Sequence, residues 1–350
     1  MRGPVVFGRM AAARMFRTVS RSMRVQYVSD LHLEFDGGPP RISPVAPILV
    51  LAGDIGNPCQ ESYRDFLAEC ARSWKHVVIV AGNHEFYNKY AADRWRVKGA
   101  ETVADRLAIC RAVARVAGPN VHFLDRGRVD IDGMAFLGCT LWSNVSGTEE
   151  RIERGMSDCQ VICAEGPPWR QATVADLQMW HLRDLDWLVR ELKACHEEGR
   201  GAVVVTHHMP TMDLIASRFQ GHPLNAGFAS ALDDLICEPV RAWICGHSHV
   251  GSIVFKGPDG RIPCALNPRG YPREGGTGFC GDLFVDVASG TGPGKDERYP
   301  ELVAGSTQDE SVSALSLQRI AAPLRSSVVA GMPPDAGSGS DTSLESVVFQ

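Results

Sequence analysis

Residues 242–249 read Ala-Trp-Ile-Cys-Gly-His-Ser-His. A short apolar run suited to a buried strand stops at a glycine, and two histidines follow, one residue apart. The same plan occurs at four earlier points. Val25–Val28 runs into Ser29-Asp30-Leu31-His32, and Ile48–Ala52 into Gly53-Asp54. Val77–Ala81 runs into Gly82-Asn83-His84-Glu85, and Val203–Val205 into Thr206-His207-His208-Met209-Pro210. Five strands thus deliver polar side chains at their C-terminal ends, where ligands bind in open α/β sheets.

Between these points the pattern alternates. Further strand-like runs lie at Val121–Leu124, Met134–Leu137, Ile253–Phe255 and Leu283–Val287. Arg128–Ile131 and Met134–Leu137 flank Asp132-Gly133, a good two-residue hairpin turn. Helical patterns fit Glu61–Ser73, Glu101–Val116 and Val174–Glu198. In the last, Leu177, Leu185, Leu188 and Leu192 keep one apolar stripe. Strands alternating with helices predict an α/β fold.

The 350 residues carry 36 Lys+Arg against 41 Asp+Glu, and 44% are hydrophobic, which excludes a disordered or fibrous chain. Charge is unevenly spread. Residues 1–29 hold six arginines and no acid, and residues 288–350 hold eight acids and four bases, so the stretch between carries 26 bases and 33 acids. Its acidity argues against a protein built to grip nucleic-acid phosphates. All 11 histidines and all 11 cysteines lie in that stretch. An odd number of scattered cysteines in a long chain reads as free thiols in a reducing compartment.

Residues 1–22 have the composition of an organelle transit peptide, or lie upstream of the true start at Met10, Met15 or Met23. The first reading implies import into an organelle and the second a cytoplasmic protein. Residues 288–350 are rich in Ser, Gly and Pro and are expected to be largely disordered, apart from a weak helical pattern at 312–320. The folded domain is expected to span 23–287. No apolar run reaches the roughly 18 residues of a membrane span.

The residue types at the strand ends are chemically specific. Asp30, His32, Asp54, Asn83, His207, His247 and His249 offer imidazole, carboxylate and amide ligands, which suit divalent ions such as Zn, Mn or Fe. Seven ligands exceed the needs of one tetrahedral ion and are enough for two ions sharing a carboxylate. If extended geometry persists, Asp30 and His32 project to one side of the chain. Glycines 53, 82 and 246 let the backbone turn beside the cluster.

Asp30-x-His32, Gly53-Asp54, Gly82-Asn83-His84-Glu85, His207 and Gly246-His247-x-His249 together resemble the five-block motif of the calcineurin-like metallophosphoesterase superfamily. The likeness covers roughly residues 24–287. It implies a four-layer α/β/β/α sandwich with two mixed sheets and two divalent metal ions at the strand ends. It also implies that Asp30, His32, Asp54 and His249 hold one ion, and that Asp54, Asn83, His207 and His247 hold the other, with Asp54 bridging. A hydroxide between the ions would then attack the phosphorus of a small phosphomonoester or phosphodiester, and His84 would stay off the metals and meet the phosphoryl or leaving oxygen. Glu85 is a candidate orienting partner, and His208 either contacts substrate or is structural.

Protein Ser/Thr phosphatases of this superfamily follow Gly-Asp with a further Asp and Arg, whereas Ile55-Gly56-Asn57-Pro58 stands here. Segments 30–35, 140–143, 156–158 and 267–272 instead resemble single-domain bacterial-type members of poorly defined substrate. In the last segment, Arg269 either clamps a phosphate or is a solvated turn residue. Trp142 either lines the pocket or packs the core, and residues 145–172 form a lid or a surface loop. Two rival functions are a non-catalytic scaffold and a nucleic-acid phosphodiesterase. The intact ligand set argues against the first and the absence of a basic tract against the second.

Overall fold

The computed structural model describes residues 21–35, 37–88, 101–165 and 170–289. The expectations for residues 1–20 and 290–350, including the helical pattern at 312–320, lie outside the described residues. Along the chain run β1 (Arg21–Val28), β2 (Ile48–Ala52), α1 (Glu61–Ser73), β3 (His76–Val80), α2 (Val103–Ala117) and β4 (Val121–Phe123). Next come β5 (Gly127–Ile131), β6 (Met134–Gly138), α3 (Glu149–Gly155), α4 (Asp158–Val161), β7 (Cys163–Ala164) and β8 (Arg170–Gln171). The remainder is α5 (Val174–Glu197), β9 (Ala202–Val205), β10 (Val240–Cys245), β11 (Ser252–Lys256), β12 (Ile262–Leu266) and β13 (Phe284–Ser289).

Two mixed sheets form. One has the order β13-β1-β2-β3-β4, and the other β11-β12-β10-β9-β6-β5. Strands β1 to β4 are mutually parallel, as are β6, β9, β10 and β12, while β13, β5 and β11 run antiparallel to their neighbours. Side chains alternate across each strand, and the period of two makes the layers. Ile48, Val50 and Ala52 of β2 meet Val203, Val205, Ala242 and Ile244 of the other sheet. The opposite face, with Leu49 and Leu51, packs on Tyr63, Leu67 and Cys70 of α1 and Ala114 of α2. The outer face of the second sheet, with Val204, Trp243 and Cys245, packs on Leu185, Leu188 and Leu192 of α5. The result is the four-layer α/β/β/α sandwich.

Local chemistry sets the boundaries. Thr102 and Asp105 form a capping box at the start of α2, and Thr173 and Asp176 form one at the start of α5. The Asp132-Gly133 turn joins β5 to β6 with both residues at positive φ, 49° and 89°. Strand β12 escapes the pattern rules because Pro263 demotes the run. Pro263 pairs only towards β11, opposite Phe255, while the contact with β10 begins one residue later at Cys264. At the domain edges, the ladder of β1 with β13 pairs Arg21 with Ser289 and Ser22 with Ala288. The folded unit therefore reaches past the expected bounds of 23 and 287, through backbone pairing that composition does not reveal.

All 11 cysteines are free thiols. No described helix is long and apolar enough to cross a membrane. Trp142 is a core residue, stacked on Phe86 and tilted against Trp180. The α5 stripe is the main apolar contact of its layer, so Leu188→Ala is expected to lower unfolding free energy by about 2–5 kcal/mol in a denaturant titration. Binding of Mn should persist under native conditions.

Candidate metal centre

The five strand ends meet where the two sheets adjoin. Asp30, His32, Asp54 and His247 all adopt positive φ, between 48° and 72°, a region that non-glycine residues rarely occupy. The extended geometry expected for Asp30-x-His32 therefore does not continue beyond β1. Instead, two left-handed turns bring the side chains inward, each costing roughly 1–3 kcal/mol. The glycines also act differently from expectation. Only Gly53, at φ 84°, needs left-handed freedom; Gly82 and Gly246 are needed for the missing side chain. A Cβ on Gly82 would lie 2.1 Å from Asp54 Oδ1, and one on Gly246 would lie 2.8 Å from Asp30 Oδ2.

The side chains form two adjoining groups. In one, His32 Nε2 is 3.1 Å from His249 Nε2, which is 3.6 Å from Asp30 Oδ1. In the other, His207 Nε2 is 3.1 Å from Asn83 Oδ1, 3.2 Å from His247 Nδ1 and 3.3 Å from Asp54 Oδ2. Asp54 Oδ2 also lies 3.9 Å from His32 Nε2, so one oxygen faces both groups. The other oxygen, Oδ1, accepts the His84 backbone N–H at 2.8 Å.

The donor set fits cations. His207 Nδ1 lies 2.9 Å from the Ala52 carbonyl, to which it donates, so the neutral ring turns a lone pair inward at Nε2. Asn83 Nδ2 donates to Asp158 and Tyr87, which turns its carbonyl inward. Asp54 adds only acceptors, and the lone pairs of His207 Nε2, Asn83 Oδ1 and Asp54 Oδ2 at 3.1–3.3 Å repel unless positive charge sits among them. Bonds of about 2.0–2.1 Å to a shared ion put neighbouring donor atoms roughly 3.0–3.4 Å apart. A proton is the lesser substitute. Burial opposes an imidazolium at His207, but the Asp54 carboxylate wins and pushes its pKa up to about 9. At His249, burial is likewise overridden by Asp30 and Glu274, to about 10. His32 and His247 are held neutral, with pKa values lowered mainly by burial.

A ring of partners orients the candidate ligands. Glu34 Oε1 accepts from His32 Nδ1 at 3.0 Å and from His84 Nδ1 at 2.9 Å. Burial would raise Glu34, but these two bonds hold it at about 2. Burial also opposes a charge on His84, yet Asp54 and Glu34 raise its pKa and favour the imidazolium. Glu274 Oε2 lies 2.5 Å from His249 Nδ1. Buried Glu85 takes hydrogen bonds from the backbone N–H groups of Asp54, Gly82, Ile55 and Gly56, which ties the β2 and β3 loops together. It organises backbone and does not orient a ligand side chain.

Of the remaining expectations, His208 is fully buried, with Nδ1 3.4 Å from the Thr140 carbonyl, and packs behind His247. Arg269 donates to the carbonyls of Leu31 and Gly38 and braces the Asp30–His32 turn; it is not among the residues lining the cavity. From the same segment it is Tyr271 that reaches the site, its hydroxyl 3.2 Å from His84 Nε2. The sequence reading singled out the segments holding Glu34, Asp158 and Tyr271 but not their roles, and it missed Tyr87 and Glu274. A lone Glu or Tyr in a loop carries no spacing signal, and only the fold brings these residues within bonding distance.

A cavity of about 410 Å³ opens over the cluster, with Asp54, Asn83, His84, His247 and His249 on its floor. Met156 and Ser157 of the 145–172 segment form part of its wall.

This architecture and site define a metal-dependent class of phosphoric-ester hydrolases. Residues 23–251 match the family model of calcineurin-like phosphoesterases, and the chain belongs to that family. It is 27% identical over 275 residues to the uncharacterized protein L509 of Acanthamoeba polyphaga mimivirus, covering 72% of this chain and 93% of that one. Its fold is similar to that of phosphopantetheinyl hydrolase from Mycobacterium tuberculosis, with a TM-score of 0.55 at 16% identity over 77% of this chain and 97% of that one.

Two predictions follow from the geometry. Asp158→Ala frees the Asn83 amide to rotate and should weaken Mn binding about 10–100-fold in a calorimetric titration, with the fold intact by circular dichroism. Protonated His207 and His249 must lose protons to bind metal, so below about pH 9 Mn affinity should fall as pH falls. Calorimetry in buffers of different ionisation enthalpy should register more than one proton released at pH 7.

Proposed function

We propose that the protein hydrolyses a small phosphomonoester or phosphodiester at the cluster centred on Asp54. The observation that carries this reading is the single Asp54 oxygen facing imidazoles from both groups, 3.3 Å from His207 Nε2 and 3.9 Å from His32 Nε2. Asp30, His32, Asp54 and His249 would hold one divalent ion, of the Mn, Fe or Zn kind, and Asp54, Asn83, His207 and His247 would hold the second. When bound, such a pair supplies Lewis acidity towards phosphoryl oxygens and makes a nucleophile of water near neutral pH.

His84 stands beside this set and not within it. Its Nδ1 is fixed by Glu34, and Nε2 points to the cavity beside the Tyr271 hydroxyl. As an imidazolium it donates to the phosphoryl or leaving oxygen, and Glu34 stabilises its positive charge. Tyr271 and Tyr87 flank the ring, 5.9 Å and 4.2 Å between centroids, and confine its orientation. The Mycobacterium tuberculosis protein of similar fold is a phosphopantetheinyl hydrolase, which agrees with hydrolysis as the class of reaction.

The test is turnover of aryl and alkyl phosphates by the full chain with added Mn. Activity should vanish with chelator and return with Mn. Asp54→Asn should lose both bound metal and activity. His84→Gln should keep bound metal and lose about 10²–10⁴ in rate on an alkyl phosphate, but less on 4-nitrophenyl phosphate, whose leaving group needs no proton. Unchanged turnover of the alkyl ester by His84→Gln would refute the assigned role.

A further inference from the structure

The cavity extends well beyond the place where a phosphoryl group would sit. Its volume of about 410 Å³ is in the range of sites that enclose a whole small molecule. The floor is polar, and Ser157, Arg218, His222 and Asn225 interrupt otherwise apolar walls. The walls above it include Met156, Ile215, Phe219 and Phe228. Three of these come from the long connection between β9 and β10, which no motif in the sequence marks.

That connection is a built surface. Asn225 Nδ2 donates to the Phe219 carbonyl at 2.8 Å, and Gln220 Nε2 donates to the Ile215 carbonyl at 2.9 Å. Ser217–Phe219 and Asn225–Gly227 each form a single 3-10 turn. On the first sits Arg218, the one Lys or Arg among the described residues of the cavity wall. Its guanidinium carbon lies 4.8 Å from the centre of the Phe219 ring, which sets the group over the apolar wall. Among the described residues no carboxylate forms an ion pair with it, although Asp54 and Glu274 both line the same cavity. His222 also lines the wall, and its Nδ1 accepts the Leu224 backbone N–H at 3.3 Å.

A free phosphate or a simple alkyl ester would leave this wall wet, with the exposed Arg218 matched only by solvent. Resting on the phosphoesterase reading, we propose that the preferred substrate is a phosphate ester of an apolar, aromatic alcohol or phenol bearing a second anionic group. The ring packs on the Phe219–Phe228 wall, and Arg218 binds the second anion. In the reaction the P–O bond to the leaving group breaks, water's oxygen bonds to phosphorus, and a proton passes to the leaving oxygen. A monoester thus yields inorganic phosphate and an anionic phenol. Arg218 is a specificity residue and takes no part in the bond changes.

The test uses three esters with the full chain and Mn: phenyl phosphate, 2-naphthyl phosphate and 2-naphthyl phosphate carrying a sulfonate on the far ring. In the wild type, kcat/KM is expected to rise from the first to the second, and again by about tenfold or more from the second to the third. Arg218→Ala should abolish the second rise and keep the first, and Arg218→Lys should retain part of it. Calorimetric binding of the product 2-naphthol-6-sulfonate should weaken about tenfold in Arg218→Ala, while binding of 2-naphthol stays unchanged. Equal turnover of the two naphthyl esters by the wild type would overturn the proposal, as would an equal loss on all three in Arg218→Ala. If no ester is hydrolysed, the phosphoesterase reading fails. The binding measurement then still decides whether Arg218 selects an anionic aromatic ligand.

Discussion

One carboxylate oxygen joins the two halves of the molecule. Asp54 Oδ2 faces His32 from the end of β1 and His207 from the end of β9, strands that belong to different sheets. For these atoms to meet, the backbone at Gly82 and Gly246 must lie against the Asp54 and Asp30 carboxylates, and that at Gly53 against the His207 ring and the Gly82 backbone. That closeness excludes any side chain at residues 53, 82 and 246. It also forces Asp30, His32, Asp54 and His247 into left-handed conformations. Several kcal/mol of backbone strain are concentrated in the site, offset by the buried core between and around the sheets.

The surroundings hold this strained cluster in place. Glu85 clamps four backbone N–H groups of the β2 and β3 loops, and Arg269 and Gly270 bind the carbonyls of the β1 loop. Glu34, Glu274 and Asp158 then aim the side chains. Aiming matters because an imidazole or an amide presents a lone pair on one side and a hydrogen on the other. Glu34 serves two purposes, since the carboxylate that orients His32 also stabilises charge on His84. Cation binding and proton donation in the proposed chemistry thereby share one buried group.

Above the floor the chemistry changes character. The cluster is built from strand ends and short loops, whereas the cavity wall comes from the 3-10 turns of the β9–β10 connection and from Met156 and Ser157. In the proposed function rigid elements set the reaction and irregular ones set what enters, a division of labour common in α/β proteins.

Much was determined by the sequence alone. Apolar runs of three to five residues, each followed by Asp, His or Asn, specified the five site-bearing strands, the α/β class and the seven candidate ligands, because strand burial and metal chemistry each demand particular residue types at particular spacings. Helices α1, α2 and α5 were legible from their apolar stripes and, at α5, within one residue of the end. Only the tertiary structure decided that Asp30 and His32 converge through left-handed turns, that Gly82 and Gly246 are missing side chains more than hinges, and that Tyr271 and not Arg269 reaches His84. It alone placed Asp158 against Asn83 and Arg218 on the cavity wall. The physical reason is one of range. Periodicity and residue type report what each segment buries, while the partner of a lone carboxylate, tyrosine or arginine is fixed by three-dimensional closure between segments up to 262 residues apart.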